Sequence, residues 1–197
     1  MVLDFLLRNP LAAIALWAAV YVSDYTLTLA GARLYRSTAS EHVVFEGSYE
    51  LTPYYQGDVD RMRRFSRRFW LALAMSSVAL FSVWLITVRA LGAVWLYTFL
   101  LGALLLREAA VHLRHIRNIG LFRLARRPGG LRGKLEYPRW LLLRASALEL
   151  LSFSGLFVFL AGMGDGWFFM GGAVACAVTG LQHLRLEREA SGPALPP

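Results

Sequence analysis

Five stretches of the chain stay apolar for about twenty residues each, long enough for a helix to cross the roughly 30 Å hydrocarbon core of a bilayer. They fall at about 11–34, 70–88, 93–112, 140–162 and 167–184. Inside lipid the backbone has to satisfy its own hydrogen bonds, so runs of this length leave helices as the natural solution. The sequence therefore predicts an all-α, polytopic integral membrane bundle of five transmembrane helices over residues 1–189, with a flexible tail at 190–197. Spans two and three are joined by Arg89-Ala90-Leu91-Gly92, and spans four and five by Met163-Gly164-Asp165-Gly166, so each pair reads as an antiparallel hairpin. Composition agrees: 57% of residues are hydrophobic and 17% charged, against about 45–50% and about 25% in a soluble domain. The length of the first run and Asp24 within it mark a retained span rather than a cleaved signal peptide. The one cysteine, Cys176, excludes an internal disulfide and reads as a small packing residue.

Charge gives the orientation. The net charge is +8, and it is concentrated in alternate loops. The loop at 35–69 carries Arg36, Arg61, Arg63, Arg64, Arg67 and Arg68. The loop at 113–139 carries Arg114, Arg117, Arg123, Arg126, Arg127, Arg132, Lys134 and Arg139, and the tail adds Arg185 and Arg188. The opposite side holds Arg8 and Arg89. The positive-inside bias then places the N-terminus outside and the C-terminus in the cytoplasm. The near absence of lysine fits a GC-rich bacterial genome, hence a prokaryotic cytoplasmic (inner) membrane. No nucleic-acid motif accompanies the basic residues, so no nucleic-acid partner is expected. Arg61, Arg63, Arg64, Arg67, Arg68, Arg123, Arg126 and Arg127 are candidates for contact with anionic lipid headgroups.

Between the first two spans, Glu41–Gln56 mixes acids, Gly47, Pro53 and three tyrosines, which reads as a structured cap over the cytoplasmic end of the bundle. Asp58 is expected to cap a helix running through Arg61–Arg68 into span two, with Met62, Phe65 and Phe69 near one face. Small residues recur every four positions at Gly172, Cys176 and Gly180, beside the row Gly171, Ala175 and Thr179, and more loosely at Ala72, Ser76, Ala79 and Ser82. Such rows let helix backbones approach closely. They are expected to pack mostly within the chain, with a homo-oligomer as the other use of an exposed face.

Ionisable groups within membrane spans are costly, so each is a functional candidate. Asp24 and Glu149 both lie about ten residues from the cytoplasmic end of their spans, about 15 Å deep at 1.5 Å per residue. Equal depth permits a carboxylate pair if the helices are neighbours, and Arg144, about a turn and a half nearer the cytoplasmic end of span four, is placed to pair with either acid. Paired buried carboxylates suit cation binding or proton relay; the structural reading is a clasp closed by Arg144, tyrosines or serines. Glu108, His112 and His115 form a second set, spaced to share one face of span three. With His183 and His42, which fall on the same side of the membrane, they are candidate ligands for a divalent metal. Their placement is similar to the histidine boxes of membrane desaturases and hydroxylases, but those enzymes need several boxes and this chain has four histidines in all.

The segment around Asp24, followed by Glu50-Leu51-Thr52-Pro53, resembles small prokaryotic membrane proteins with an Asp in the first span and a Glu-x-x-Pro element after it. That resemblance brings no activity with it. Three functional readings remain. The favoured one is a transporter or channel for a cation or proton using Asp24 and Glu149. The second is a metal-dependent or lipid-handling membrane protein with a cytoplasmic-side His/Glu pocket. The third is a non-catalytic subunit or scaffold of a membrane complex.

Overall fold

The structure, a computed structural model, describes residues 2–125, 133–164 and 166–191, apart from the side chain at 38. Arg126, Arg127, Arg132, the Pro128-Gly129-Gly130 break, Asp165 and the tail from 192 lie outside the described residues. In chain order the elements are α1 (Val2–Arg8), α2 (Pro10–Leu34), β1 (Val43–Phe45), α3 (Pro53–Asp60), α4 (Arg67–Trp84), α5 (Val94–Ala125), β2 (Leu135–Tyr137), α6 (Arg139–Ala161) and α7 (Gly166–Ala190). Wider π-helical turns extend α2 over Tyr35–Ala39 and α4 over Leu85–Ala90. Five of the helices, α2, α4, α5, α6 and α7, are long and apolar enough to cross a membrane.

The boundaries shift where local chemistry outranks hydropathy. Pro10 starts α2 because a helix's first turn has no use for its missing N–H. α5 was expected to stop at His112, yet it runs on to Ala125. No proline interrupts that stretch, and Phe122 and Ala125 are buried by the loops that pack on it. α7 likewise continues to Ala190. The single helix expected from Asp58 into span two is instead two helices. Pro53 starts α3 early, and Ser66 then caps α4 by accepting from the Phe69 N–H at 3.1 Å. Asp58 does not open a helix; it is buried and accepts from the Ser66 hydroxyl at 2.5 Å, holding the cap in place. The turn between the two helices passes through Met62, a non-glycine residue at φ 52°.

Packing runs in a chain of neighbours: α4 on α2, α2 on α5, α5 on α7, and α7 on α6. α5 is thus the central helix. Trp17, Tyr25, Phe69, Leu73, Leu80, Tyr97 and Leu101 form the core on the α2/α4 side. Ala110, Leu150, Phe157, Ala173 and Cys176 form it on the α6/α7 side, with Cys176 fully buried as packing. The small residues of α7 act within the chain, and on two faces. Gly171 and Gly172 lie against Phe99, Ala103 and Leu106 of α5, while Gly180 lies against Ala147 and Leu151 of α6. In α4 the inward face is Phe69, Leu73, Ser76 and Leu80, and Ala79 is exposed. Ser76 accepts from the Trp17 indole at 2.9 Å.

A small roof covers the arginine-rich end of the bundle. β1 pairs with β2 in parallel, Val43 beside Leu135 and Phe45 beside Tyr137, which ties the 35–52 loop to the segment before α6. Tyr35, Phe45, Tyr49, Phe122 and Tyr137 pack ring to ring beneath it, with centroids 4.7–6.3 Å apart. The expected cap therefore exists, anchored on the unexpected extension of α5.

A candidate metal centre beneath the roof

Glu108, His112 and His115 do share one face of α5, and that face meets α2. There they converge with Asp24, which the sequence had grouped with Glu149. Candidate ligand atoms of Asp24, Glu108 and His112 all lie within 4.8 Å of one another. His115 Nε2 is 3.1 Å from Asp24 Oδ1 and 3.2 Å from Thr28 Oγ1.

The polar bonding in this cluster is incomplete. His112 Nδ1–H donates to the Glu108 carbonyl at 2.7 Å, which turns Nε2 toward Ser23 Oγ at 2.6 Å. Ser23 has one proton for two acceptors, His112 Nε2 and the Val20 carbonyl at 2.8 Å. Glu108 is 3% exposed. One of its oxygens is held by the Arg107 guanidinium, while Oε2 is buried with no hydrogen-bond partner among the described residues. Asp24 Oδ1 and His115 Nδ1 are in the same condition, Asp24 Oδ1 meeting the His115 ring outside hydrogen-bond alignment. Buried polar atoms left unpaired are rare and ask for a reason.

The expected grouping of Asp24, Arg144 and Glu149 does not form. Glu149 accepts from Arg114 Nε at 2.6 Å and Arg117 Nη1 at 3.0 Å. Arg144 pairs with Glu187 at 3.6 Å. The reason is the helix order: α2 packs on α5, whereas α6 packs on α7. Residues 112 and 115 of α5 face Asp24, and residues 114 and 117, turned about 100° per position, reach Glu149 on another side. Nor does Asp24 lie level with the middle of α4. Tyr21 and Tyr25 on either side of it stack on Phe69, and the Tyr25 hydroxyl donates to the Arg63 carbonyl at 2.7 Å. Asp24 is therefore level with the first turn of α4. On α5, His115 stands about 30 Å from Trp95, roughly a full hydrocarbon thickness, and Trp95 packs on Trp167 at the opposite end.

His183 and His42 stand apart from the cluster. His183 Nδ1 is 2.8 Å from Ser146 Oγ, between α6 and α7. His42 Nδ1–H donates to the Gly133 carbonyl at 3.2 Å beside the strand pair. Arg107 was not singled out from the sequence, since an arginine next to a glutamate carries no spacing signal. Ser23 and Thr28, one position before Asp24 and four after it, complete the α2 side of the cluster.

Glu50 belongs to the roof. Its Oε1 accepts from the Thr52 N–H at 2.7 Å. Burial pushes its carboxyl above the usual carboxylate range, the Asp24 carboxylate adds to the rise, and His115 opposes it. Burial also pushes the Tyr49 phenol up to about 12. A carboxyl with a raised folded pKa stabilises the fold below its unfolded value, and that stability is lost as pH rises through the folded value. Glu50→Gln is thus expected to be more stable than the parent at neutral pH and equally stable in acid. Thermal unfolding in detergent with chelator, stepped from acid to neutral pH, reads this directly; parallel pH profiles for the two proteins contradict it.

No protein-family model matches the chain, and neither does any curated protein or solved structure.

Proposed function

We propose that this chain is a multi-pass membrane protein that holds a divalent metal ion of the zinc class at the arginine-rich end of its bundle. Asp24, Glu108 and His112 are the ligands. In this reading that end faces the cytoplasm of a prokaryotic cell, as the basic loops argue, and the metal lies at the inner edge of the hydrocarbon layer. The carrying observation is the convergence of three candidate ligands from two helices around buried atoms that lack hydrogen-bond partners among the described residues. The donor set of two carboxylates and an imidazole suits zinc. His112 Nδ1–H on a backbone carbonyl is the outer contact that fixes a histidine's other nitrogen toward a metal. Ligands about 2.1 Å from zinc stand about 3.4 Å apart, a spacing within reach of atoms that already lie within 4.8 Å of one another. Three protein ligands leave a position for water or a small anion, with His115 beside it. The transport reading rested on an Asp24–Glu149 pair and loses that ground; these two acids serve different partners.

The test is metal content. Protein purified without chelator or affinity metal is expected to carry about one metal ion per chain by elemental analysis. His112→Ala is expected to carry less than a tenth of that at unchanged secondary structure. Metal-free parent protein that also fails to take up zinc at micromolar concentration overturns the reading.

A further inference from the structure

The α3–α4 turn forms a second polar feature, whose side chains are distinct from the candidate ligands Asp24, Glu108 and His112. It borders a groove of about 780 Å³ lined by Arg61, Arg63, Arg64, Arg67, Arg68 and Phe65. The acid that also lines this groove, Asp58, is 7% exposed and already engaged by Ser66 and by Arg63 at 3.4 Å. Arg68 donates to the Tyr54 carbonyl at 3.0 Å and lies over the Tyr54 ring at 5.4 Å. The side chains of Arg61, Arg64 and Arg67 have no hydrogen bond or ion pair among the described residues. Guanidinium groups gathered without counter-charge repel one another unless an anion joins them.

Phe65 narrows the choice of anion. It sits among the arginines yet is 81% exposed, and it stacks on the half-exposed Trp70 with centroids 6.0 Å apart. Trp70 opens the apolar part of α4, where interfacial tryptophans lie at headgroup level. In water an exposed Phe–Trp pair ringed by cations has no reward; against a bilayer the rings enter the acyl boundary while the arginines stay with the headgroups. The turn is not a loose connection either. Asp58 and Ser66 fix both its ends, and Met62 packs inward against the core at its unusual positive φ.

We propose that this groove binds the phosphate of an anionic phospholipid, with Phe65 and Trp70 seated beside its acyl chains. The occupant is a lipid rather than free phosphate because the arginines stand beside an exposed aromatic pair, Phe65 and Trp70, that a free anion would leave in water.

The test is titration of the full chain, in zwitterionic detergent, with phosphatidylglycerol and with phosphatidylcholine, read by native mass spectrometry. Phosphatidylglycerol is expected to bind at least tenfold more tightly. At about 1 kcal/mol per juxtamembrane basic residue, the triple variant Arg61→Gln, Arg64→Gln, Arg67→Gln is expected to weaken it on the order of 100-fold. A matched triple on exposed arginines elsewhere, Arg33→Gln, Arg185→Gln, Arg188→Gln, is expected to stay within about threefold of the parent. Equal losses in both triples mean general charge rather than a site and overturn the proposal. So does displacement of the lipid by inorganic phosphate at submillimolar concentration, or equal binding of the two lipids.

Discussion

Gly171→Ala, with Gly102→Ala beside it, is expected to be among the most damaging single-methyl changes in this protein. A Cβ at Gly171 overlaps the Phe99 carbonyl and approaches the Ala103 N–H at 2.8 Å, both of them backbone atoms of α5. Backbone cannot rotate away, so α5 and α7 have to separate. Gly102 makes the reciprocal approach, its Cβ meeting the Phe168 backbone on α7. The two glycines therefore close one joint from both sides. Overpacking a well-fitted interior costs about 1–3 kcal/mol when side chains can adjust, and at least about 3 kcal/mol is expected here, where they cannot. Gly172→Ala is expected to be milder but still destabilising, because its nearest contacts are the Leu106 side chain rather than backbone, yet they include the Leu106 Cβ at 2.6 Å, which moves only with α5. Gly155→Ala faces open space and is expected to gain about 0.5–1 kcal/mol from reduced backbone freedom. Thermal unfolding and monodispersity in detergent rank the three. If Gly171→Ala unfolds at the same temperature as Gly155→Ala, the α5–α7 joint is not closed in the way described.

The small-residue row was legible before any coordinates, but its division of labour was not. Four-residue spacing says that backbones can approach; it does not say which neighbour arrives. Gly171 and Gly172 meet α5, while Gly180, farther along the same helix, meets α6. The same limit governed the charges. Periodicity put Glu108, His112 and His115 on one face of α5 because that is a property of a single helix. Pairing Asp24 with Glu149 required the order in which helices pack, and depth alone does not contain it. The end of α5 was hidden as well, because hydropathy ends it at His112, whereas the roof's aromatic rings give Phe122 a reason to stay helical beyond the apolar run. The α3–α4 break was hidden for a similar reason. Asp58 was a sound capping residue, but Pro53 and Ser66 opened helices on either side of it.

The clearest measure of that corrected pairing is a comparison of Asp24→Asn with Glu149→Gln. From sequence the two acids look equivalent: one per span, similar distance from the helix end. In the structure they hold different things. Asp24 meets His115 and the Glu108–His112 pair, so its neutral amide removes a charged ligand and keeps the shape. Loss of an outer contact alone costs metal sites 10- to 100-fold, and removing a ligand is expected to weaken zinc binding by at least about 100-fold. Glu149 instead neutralises Arg114, whose side chain is 13% exposed and whose Nη2 is already buried without a hydrogen-bond partner among the described residues. Glu149→Gln leaves that guanidinium poorly paired. Breaking a fully buried pair costs about 3–5 kcal/mol; with the Glu149 side chain 20% exposed and Arg117 56% exposed, about 1–3 kcal/mol is the expected loss. Zinc affinity in Glu149→Gln is expected to stay within about threefold of the parent, because none of its bonds reaches the cluster. Zinc titration and thermal unfolding of the two variants thus separate two roles. Asp24→Asn is expected to lose metal and keep most of its stability; Glu149→Gln is expected to lose stability and keep metal. A common loss of zinc binding in both variants means that the acids act as one pair after all, and the cation-transport reading then regains the ground that the helix order took from it.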